Sequence, residues 1–305
     1  MHFSKQNFNK IKKKYFKFLK SQEVLSEPFR DKIGQLKNFY LPISNEIKSK
    51  YFINQKTQII GLTGGQGTGK STISNIIKII LKEGFNLSTV IFSIDDFYKT
   101  FKERQKMAKK IHPLFLTRGV PGTHDDKLLF NCLKNLKSQN FKKFSIPVFD
   151  KSIDDRLPKN KWQKVTKKPE IVIFEGWCVG ATSQKKKDLL LPINTLEKEK
   201  DKKGRWRKFV NKKLKTKYKK IFGQIDTTIF LKVPSFKHVY NWRLLQEKKL
   251  RMKSKGKKIM NDNQIKNFIM FYERITKNMI KVLNNKAEFV IKIDSKHKLK
   301  SIHKN

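Results

Sequence analysis

Only two cysteines, Cys132 and Cys178, occur in the 305 residues, which excludes a disulfide framework and a thiolate metal site. Both read as free thiols. No apolar run approaches the ~20 residues of a membrane span. The N-terminal Met1-His2-Phe3-Ser4-Lys5 has no continuous apolar segment before a small-residue cleavage site. A cytoplasmic protein without membrane attachment is expected. Internal repeats are missing as well. Acidic residues are few: 25 Asp and Glu stand against 71 Lys and Arg, a formal net charge of +46. Such a field attracts phosphate backbones. Arginine is sparse too, only nine of those 71, although its planar fork is the preferred partner of bases and phosphates. The lysines are spread over nearly every segment, as in Lys12-Lys13-Lys14, Lys185-Lys186-Lys187 and Lys248-Lys249. They form no stripe beside stacking aromatics, so specific nucleic-acid binding is not expected, and solvated lysine faces are. Where lysine supplies generic charge, a retained arginine points to geometry. Arg118, Arg156, Arg243, Arg251 and Arg274 all fall in the segments singled out below.

What is present is a phosphate-binding loop. Gly64, Gly65, Gln66, Gly67, Thr68, Gly69, Lys70 and Ser71 spell G-x-x-x-x-G-K-[ST], followed by Thr72. The β-type run Gln58-Ile59-Ile60-Gly61-Leu62-Thr63 leads in, and Ile73, Ile76, Ile77, Ile80 and Leu81 at helical spacing lead out. That strand–loop–helix context is what the motif requires. The glycines let backbone N–H groups turn toward an anion at a helix N-terminus, Lys70 reaches the β- and γ-phosphates, and the Ser71 hydroxyl faces Mg²⁺. A bound nucleoside triphosphate with Mg²⁺ follows.

A hydrophobic content of 37% suits a globular chain with one large α/β core or two modest ones. Residues 1–56 read as a basic helical extension, with Phe8, Ile11, Tyr15, Phe16 and Leu19 at helical spacing. A P-loop domain, 57–305, follows as alternating strand and helix. Strands are expected at 58–63, 89–94, 171–174, 227–231 and 289–293, giving a parallel five-stranded sheet flanked by helices, the P-loop NTPase fold. Residues 183–220, dense in Lys, Glu and Asp, read as a charged surface insertion anchored by Trp206 and Tyr218. A lid-like helix over about 235–253 is expected to end in a mobile loop near Lys253-Ser254-Lys255-Gly256-Lys257.

Around the loop stand candidate groups. Ser93-Ile94-Asp95-Asp96-Phe97-Tyr98 follows the second strand; Asp95 there can take a proton from an attacking hydroxyl or approach the metal, with Asp96 supporting. Glu175 ends the third strand, where an outer-sphere metal ligand or a substrate-orienting group is expected, a plain surface glutamate being the alternative. Two polar loops, from Arg118 through His124 and Asp125 and from Pro147 through Lys151 to Arg156, can recognise an acid through Arg118, His124, Lys151 and Arg156. Turn chemistry is the alternative for each loop. Arg243, Glu247 and Arg251 recur every four residues and share a helix face, either as an ion-pair row or as a lid that neutralises transition-state charge.

These motifs, Arg-Gly-Val-Pro-Gly-Thr-His-Asp at 118, Phe-Asp-Lys-Ser at 149, Phe-Glu-Gly-Trp at 174 and Tyr-Asn-Trp-Arg-Leu-Leu-Gln-Glu at 240 among them, resemble the plant-type D-glycerate 3-kinases and their relatives in the phosphoribulokinase, uridine kinase and pantothenate kinase group. The likeness runs from about residue 57 to 295. It implies ATP-dependent phosphorylation of a hydroxyl on a small acceptor, with D-glycerate favoured. In that resemblance Asp95 matches the catalytic aspartate, Lys70 and Ser71 the phosphate and Mg²⁺ groups, and Arg243 the lid. Pantothenate, a nucleoside or a sugar phosphate are alternative acceptors, and a nucleic-acid-associated NTPase is a more remote reading. A monomer or homodimer is expected.

Overall fold

The expected strands and helices form in the expected order in a computed structural model that describes residues 4–23, 29–253 and 260–305, the side chains of 246–253 excepted. Helices α1 (Lys5–Gln22) and α2 (Leu41–Asn54) precede strand β1 (Gln58–Gly64), helix α3 (Lys70–Phe85) and strand β2 (Thr89–Ser93). Helices α4 (Phe101–Lys110) and α5 (Asp126–Lys137) lead to strand β3 (Ile171–Gly176), helices α6 (Thr195–Lys200) and α7 (Arg205–Lys213) and strand β4 (Thr227–Lys232). Helices α8 (Phe236–Lys253) and α9 (Asp262–Leu283) and strands β5 (Phe289–Ile293) and β6 (Leu299–Lys304) complete the order.

The sheet runs β6-β5-β4-β1-β3-β2. Five strands are parallel, as their continuous apolar character predicts, and a sixth, β6, pairs antiparallel with β5 along the edge. That sixth strand is an addition to the expected five. Alternate residues of each central strand serve opposite layers, because side chains project to opposite faces with period two. Ile59, Val172, Phe174, Phe92 and Phe230 pack with α5, α7 and α9. Ile60, Leu62, Ile171, Ile173, Ile229 and Leu231 pack with α1, α2, α3 and α8. Ile11, Tyr15 and Leu19 of α1 are at most 1% exposed and belong to that second layer, so the N-terminal helices share the core of the sheet. The register sets Ser93 of β2 beside Glu175 of β3, and Leu62 of β1 beside the same glutamate. The loop after β1, the aspartates after β2 and Glu175 therefore leave one carboxyl edge of the sheet, where ligands of such sheets bind.

Residues 183–220 depart from a solvated charged insertion. Trp206 and Tyr218 are buried anchors as expected, but charges go in with them. Glu197 is buried and takes two bonds from Arg274 of α9, Nε to Oε1 at 2.7 Å and Nη2 to Oε2 at 2.6 Å, while the same guanidinium donates to the Asp188 and Leu191 carbonyls. Arg207 does the same for Asp201 and for the Leu189 and Leu190 carbonyls. One planar fork satisfying three or four acceptors is arginine chemistry that lysine cannot supply. The stretch from Ser254 through Lys257, expected as a loop, lies outside the described residues.

Breaking the Arg274–Glu197 pair strands a buried charge. Glu197→Ala is expected to cost about 3–5 kcal/mol in urea unfolding, and the Arg274→Met/Glu197→Met double variant less than either single change. A Glu197→Ala cost below about 1 kcal/mol would contradict this account of the insertion.

Candidate active site

Gly64, Gly65 and Gly67 hold the phosphate loop where no side chain fits. A Cβ at Gly64 would lie 2.8 Å from Leu231 Cβ of β4, one at Gly65 2.8 Å from Val239 Cγ2, and one at Gly67 2.8 Å from Trp242 Cβ, the last two on α8. Gly67 and Gly69 also take positive φ, +80° and +81°, the left-handed region that favours glycine. The loop then delivers Lys70 to the first turn of α3. Its ammonium folds back onto the Gly64 and Gly65 carbonyls, 3.0 Å from each. Burial pushes the Lys70 ammonium below the usual lysine value, and Glu175 and Asp95 offset part of that shift. Ser71 Oγ donates to Glu175 Oε1 at 2.8 Å. Burial raises the Glu175 carboxyl, while Lys70 and the Ser71 hydroxyl pull it back.

The acid pair divides by environment. A capping box closes the turn after β2: Ser93 and Asp96 cap each other's backbone. Asp96 accepts from the Ser93 N–H at 2.9 Å, and burial raises its carboxyl to about 6. Asp95 is turned the other way. Tyr98 Oη donates to its Oδ1 at 2.8 Å, and Lys151 Nζ lies 2.7 Å from its Oδ2. Burial would raise Asp95, but the Lys151 charge and the bonds from Lys151 and Tyr98 hold it down to about 2. Asp95 is thus ionised at neutral pH while Asp96 sits near its titration point.

The two polar loops meet this pair differently. Residue 98 bridges residue 124 in antiparallel fashion, so the 118–125 loop lies along the acid turn. His124 is fully buried, its ring stacked on Tyr98 at 4.5 Å and its Nδ1 2.6 Å from Tyr218 Oη. Burial lowers His124 to about 4. Arg156 donates to the Tyr98 carbonyl and stands 3.7 Å from Asp125, the N-cap of α5. Arg118 pairs with Asp154 and lies over the Phe149 ring at 5.4 Å. Of the four acid-recognition candidates, Lys151 touches Asp95 itself, Arg118 is held one loop away, and His124 and Arg156 brace Tyr98. Arg243 lies over Phe268 of α9 at 5.9 Å, and the Glu247 and Arg251 side chains lie outside the described residues. The acid motif alone does not distinguish Tyr98, whose hydroxyl reaches Asp95. Arg104 is a further structural group that no motif marks. It is fully buried, donating to the Lys99, Leu116 and Asp154 carbonyls and pairing with Asp154, and its being one of nine arginines was the available signal.

Thr63 Oγ1, Gln66 Oε1 and His124 Nε2 are buried side-chain atoms with no hydrogen-bond partner among the described residues. All three border the loop or the acid turn, where a polar ligand would satisfy them. Ser71 and Glu175 offer hard oxygen donors that suit Mg²⁺ held by phosphates and one or two protein groups. Among the described residues no three His, Cys, Asp or Glu side chains form a metal cage, and no helix is long and apolar enough to cross a membrane.

Two opposed titrations follow from this geometry. His124, lowered from 6.5 to about 4, makes folding weaken as pH falls through that window, because the unfolded chain binds the extra proton. Asp96, raised from 3.8 to about 6, makes folding weaken as pH rises through its window, because the folded chain binds the proton. Each contributes a slope of at most about 1.4 kcal/mol per pH unit. Relative to wild type between pH 4 and 6, His124→Gln should lose stability with rising pH and Asp96→Asn should gain it, as read from urea midpoints. Parallel curves for all three proteins would contradict these environments.

Comparison with known proteins identifies the family. The kinase mug58 of Schizosaccharomyces pombe, described as uncharacterized, is 35% identical over 227 residues, covering 70% of this chain and 78% of that protein. The chloroplastic D-glycerate 3-kinase of Arabidopsis thaliana is 28% identical over 222 residues, covering 70% of this chain and 46% of that protein. A solved D-glycerate 3-kinase from Cryptococcus neoformans superposes with a TM-score of 0.72 at 23% identity, over 87% of this chain and 99% of the other, a likeness of fold. The family model described as Phosphoribulokinase / Uridine kinase matches residues 59–190, which hold the phosphate loop, the acid turn, both polar loops and Glu175. The chain is a kinase and belongs to the phosphoribulokinase/uridine kinase family.

Proposed function

We propose that this kinase transfers the γ-phosphoryl group of ATP to a hydroxyl of a small anionic acceptor, D-glycerate in the first instance, giving 3-phosphoglycerate. One observation carries the reading: Asp95, ionised and beside the phosphate loop, is held 2.7 Å from a cation, Lys151, whose side chain is 61% exposed. A base and an acceptor-binding ammonium are thereby adjacent, and the Arg118 charge is close enough to act on Lys151.

The residues then divide the work. Backbone N–H groups of Gly65 through Thr72 cradle the phosphates, and Lys70 leaves the Gly64 and Gly65 carbonyls for the β- and γ-phosphates. Ser71 and Glu175 would hold Mg²⁺, which neutralises charge on the phosphates when bound. The acceptor's carboxylate draws Lys151 from Asp95 and engages Arg118, with His124 and Arg156 keeping Tyr98 and the acid turn in place. Losing Lys151 removes what depresses Asp95 and makes it a stronger base. The acceptor oxygen bonds to the γ-phosphorus, the bond from that phosphorus to the β,γ-bridging oxygen breaks, ADP departs, and Asp95 takes the hydroxyl proton. Arg243, on the α9 side of the site, is proposed to offset the charge spread over the transferring group.

With D-glycerate and MgATP, Asp95→Asn should lower kcat by about 10²–10⁴-fold while MgATP still binds. Arg118→Ala should raise the acceptor KM about tenfold and leave that for ATP nearly unchanged. Full turnover in Asp95→Asn, or an unchanged acceptor KM in Arg118→Ala, would overturn these assignments.

A further inference from the structure

The turn between β5 and β6 reaches the phosphate loop. Asp294 organises it: its carboxylate accepts from the Lys296 and Lys298 N–H groups, both at 2.9 Å, and its own N–H bonds to the Lys298 carbonyl. Residue 297 in this turn takes φ +63°. Glycine or asparagine adopts that conformation at least cost, yet the chain places a histidine there. Its ring lies on Trp242 of α8, centroids 3.9 Å apart and planes within 23°, and its Nε2 is 2.6 Å from the Gly67 carbonyl. A carbonyl oxygen can only accept, so Nε2 carries the proton and donates.

We infer that His297 is a positioning residue for nucleotide binding, setting the phosphate loop by fixing the peptide between Gly67 and Thr68. In a trans peptide the carbonyl and the following N–H point in opposite directions. Holding the Gly67 carbonyl out toward His297 therefore turns the Thr68 N–H inward. In the described state that N–H makes only a long bond, 3.4 Å, to the Gly65 carbonyl, so it is available to a phosphate oxygen. Trp242 completes the arrangement. It is 5% exposed, packs against Gly67 on one side and supports the imidazole on the other. Helix α8, the terminal hairpin and the phosphate loop thus meet at a single carbonyl.

The inference rests on the reading that this loop binds the phosphates of ATP, and the test separates the two. Affinities for MgATP and for magnesium tripolyphosphate, which has no base, are measured by calorimetry on the full chain. His297→Ala and His297→Phe should each weaken both ligands about three- to tenfold, the value of one hydrogen bond. His297→Gln, which can donate from its amide, should recover most of the loss, and Lys296→Ala in the same turn should bind as wild type. Wild-type affinity in both the Ala and Phe variants would overturn the inference, as would wild-type affinity in Phe alone, because the ring without the donor would then suffice. A loss confined to MgATP would also overturn it by assigning the ring to the base. If His297→Ala melts early, the Phe and Gln variants carry the comparison. A wild-type chain that binds neither ligand would remove the nucleotide reading itself.

Discussion

Everything at this site depends on how closely a stretch of backbone approaches the structure behind it. At Gly64, Gly65 and Gly67 the chain lies so near Leu231, Val239 and Trp242 that even a methyl group would fall within 3 Å. That contact stands the loop against β4 and α8, at the carboxyl edge of the sheet. The register of β1, β3 and β2 then delivers Glu175 and the Asp95–Asp96 turn to the same edge without further instruction. Helix α8 has a dual place in this scheme. Its first turns, through Val239 and Trp242, are part of the wall behind the loop, while Arg243, one residue on, projects to α9.

Charge at the edge is managed by pairing, because burial makes each isolated ion costly. Burial lowers Lys70 and raises Glu175, the expected signs for two groups removed from water, and each partly corrects the other. Asp95 and Asp96 are neighbours in sequence with opposite outcomes. A lysine and a tyrosine hold one at about 2, and the other, bonded only to backbone N–H groups, rises to about 6. Two neighbouring carboxylates thereby differ in state: Asp95 is ionised beside Lys151 and Tyr98, and Asp96 closes the turn that carries it.

Legibility in the sequence followed burial and period. The five parallel strands are legible because each is a short, largely apolar run, fully buried in β1 and β3, and the motif after β1 fixes where the phosphate edge lies. Strand β6 could not be read this way: Leu-Lys-Ser-Ile-His-Lys lies at the sheet's rim with only Leu299 buried, so it resembles any basic tail. The same limit hid the interior of the 183–220 segment. Glu197 looks like a surface charge until Arg274, far along the chain, shows where it packs, and Asp201 and Arg207 look the same until their mutual pairing inside the fold is seen. Of the acid-recognition candidates, Lys151 and Arg118 were readable as charges in a polar loop, whereas the burial of His124 beneath Tyr98 depends on a long-range pairing that residue types do not encode. His297 carried no local signal, because its partner is a carbonyl 230 residues earlier.

Acceptor-dependent ADP release decides whether the phosphate loop, the paired aspartate and the two basic loops together phosphorylate a small acid, as proposed. A coupled assay would present D-glycerate, pantothenate, uridine and ribulose 5-phosphate with MgATP, with and without added DNA or RNA. The expected result is ADP release that requires an anionic acceptor, is greatest with D-glycerate and is indifferent to nucleic acid. ADP release driven by nucleic acid, with no response to any acceptor, would contradict it.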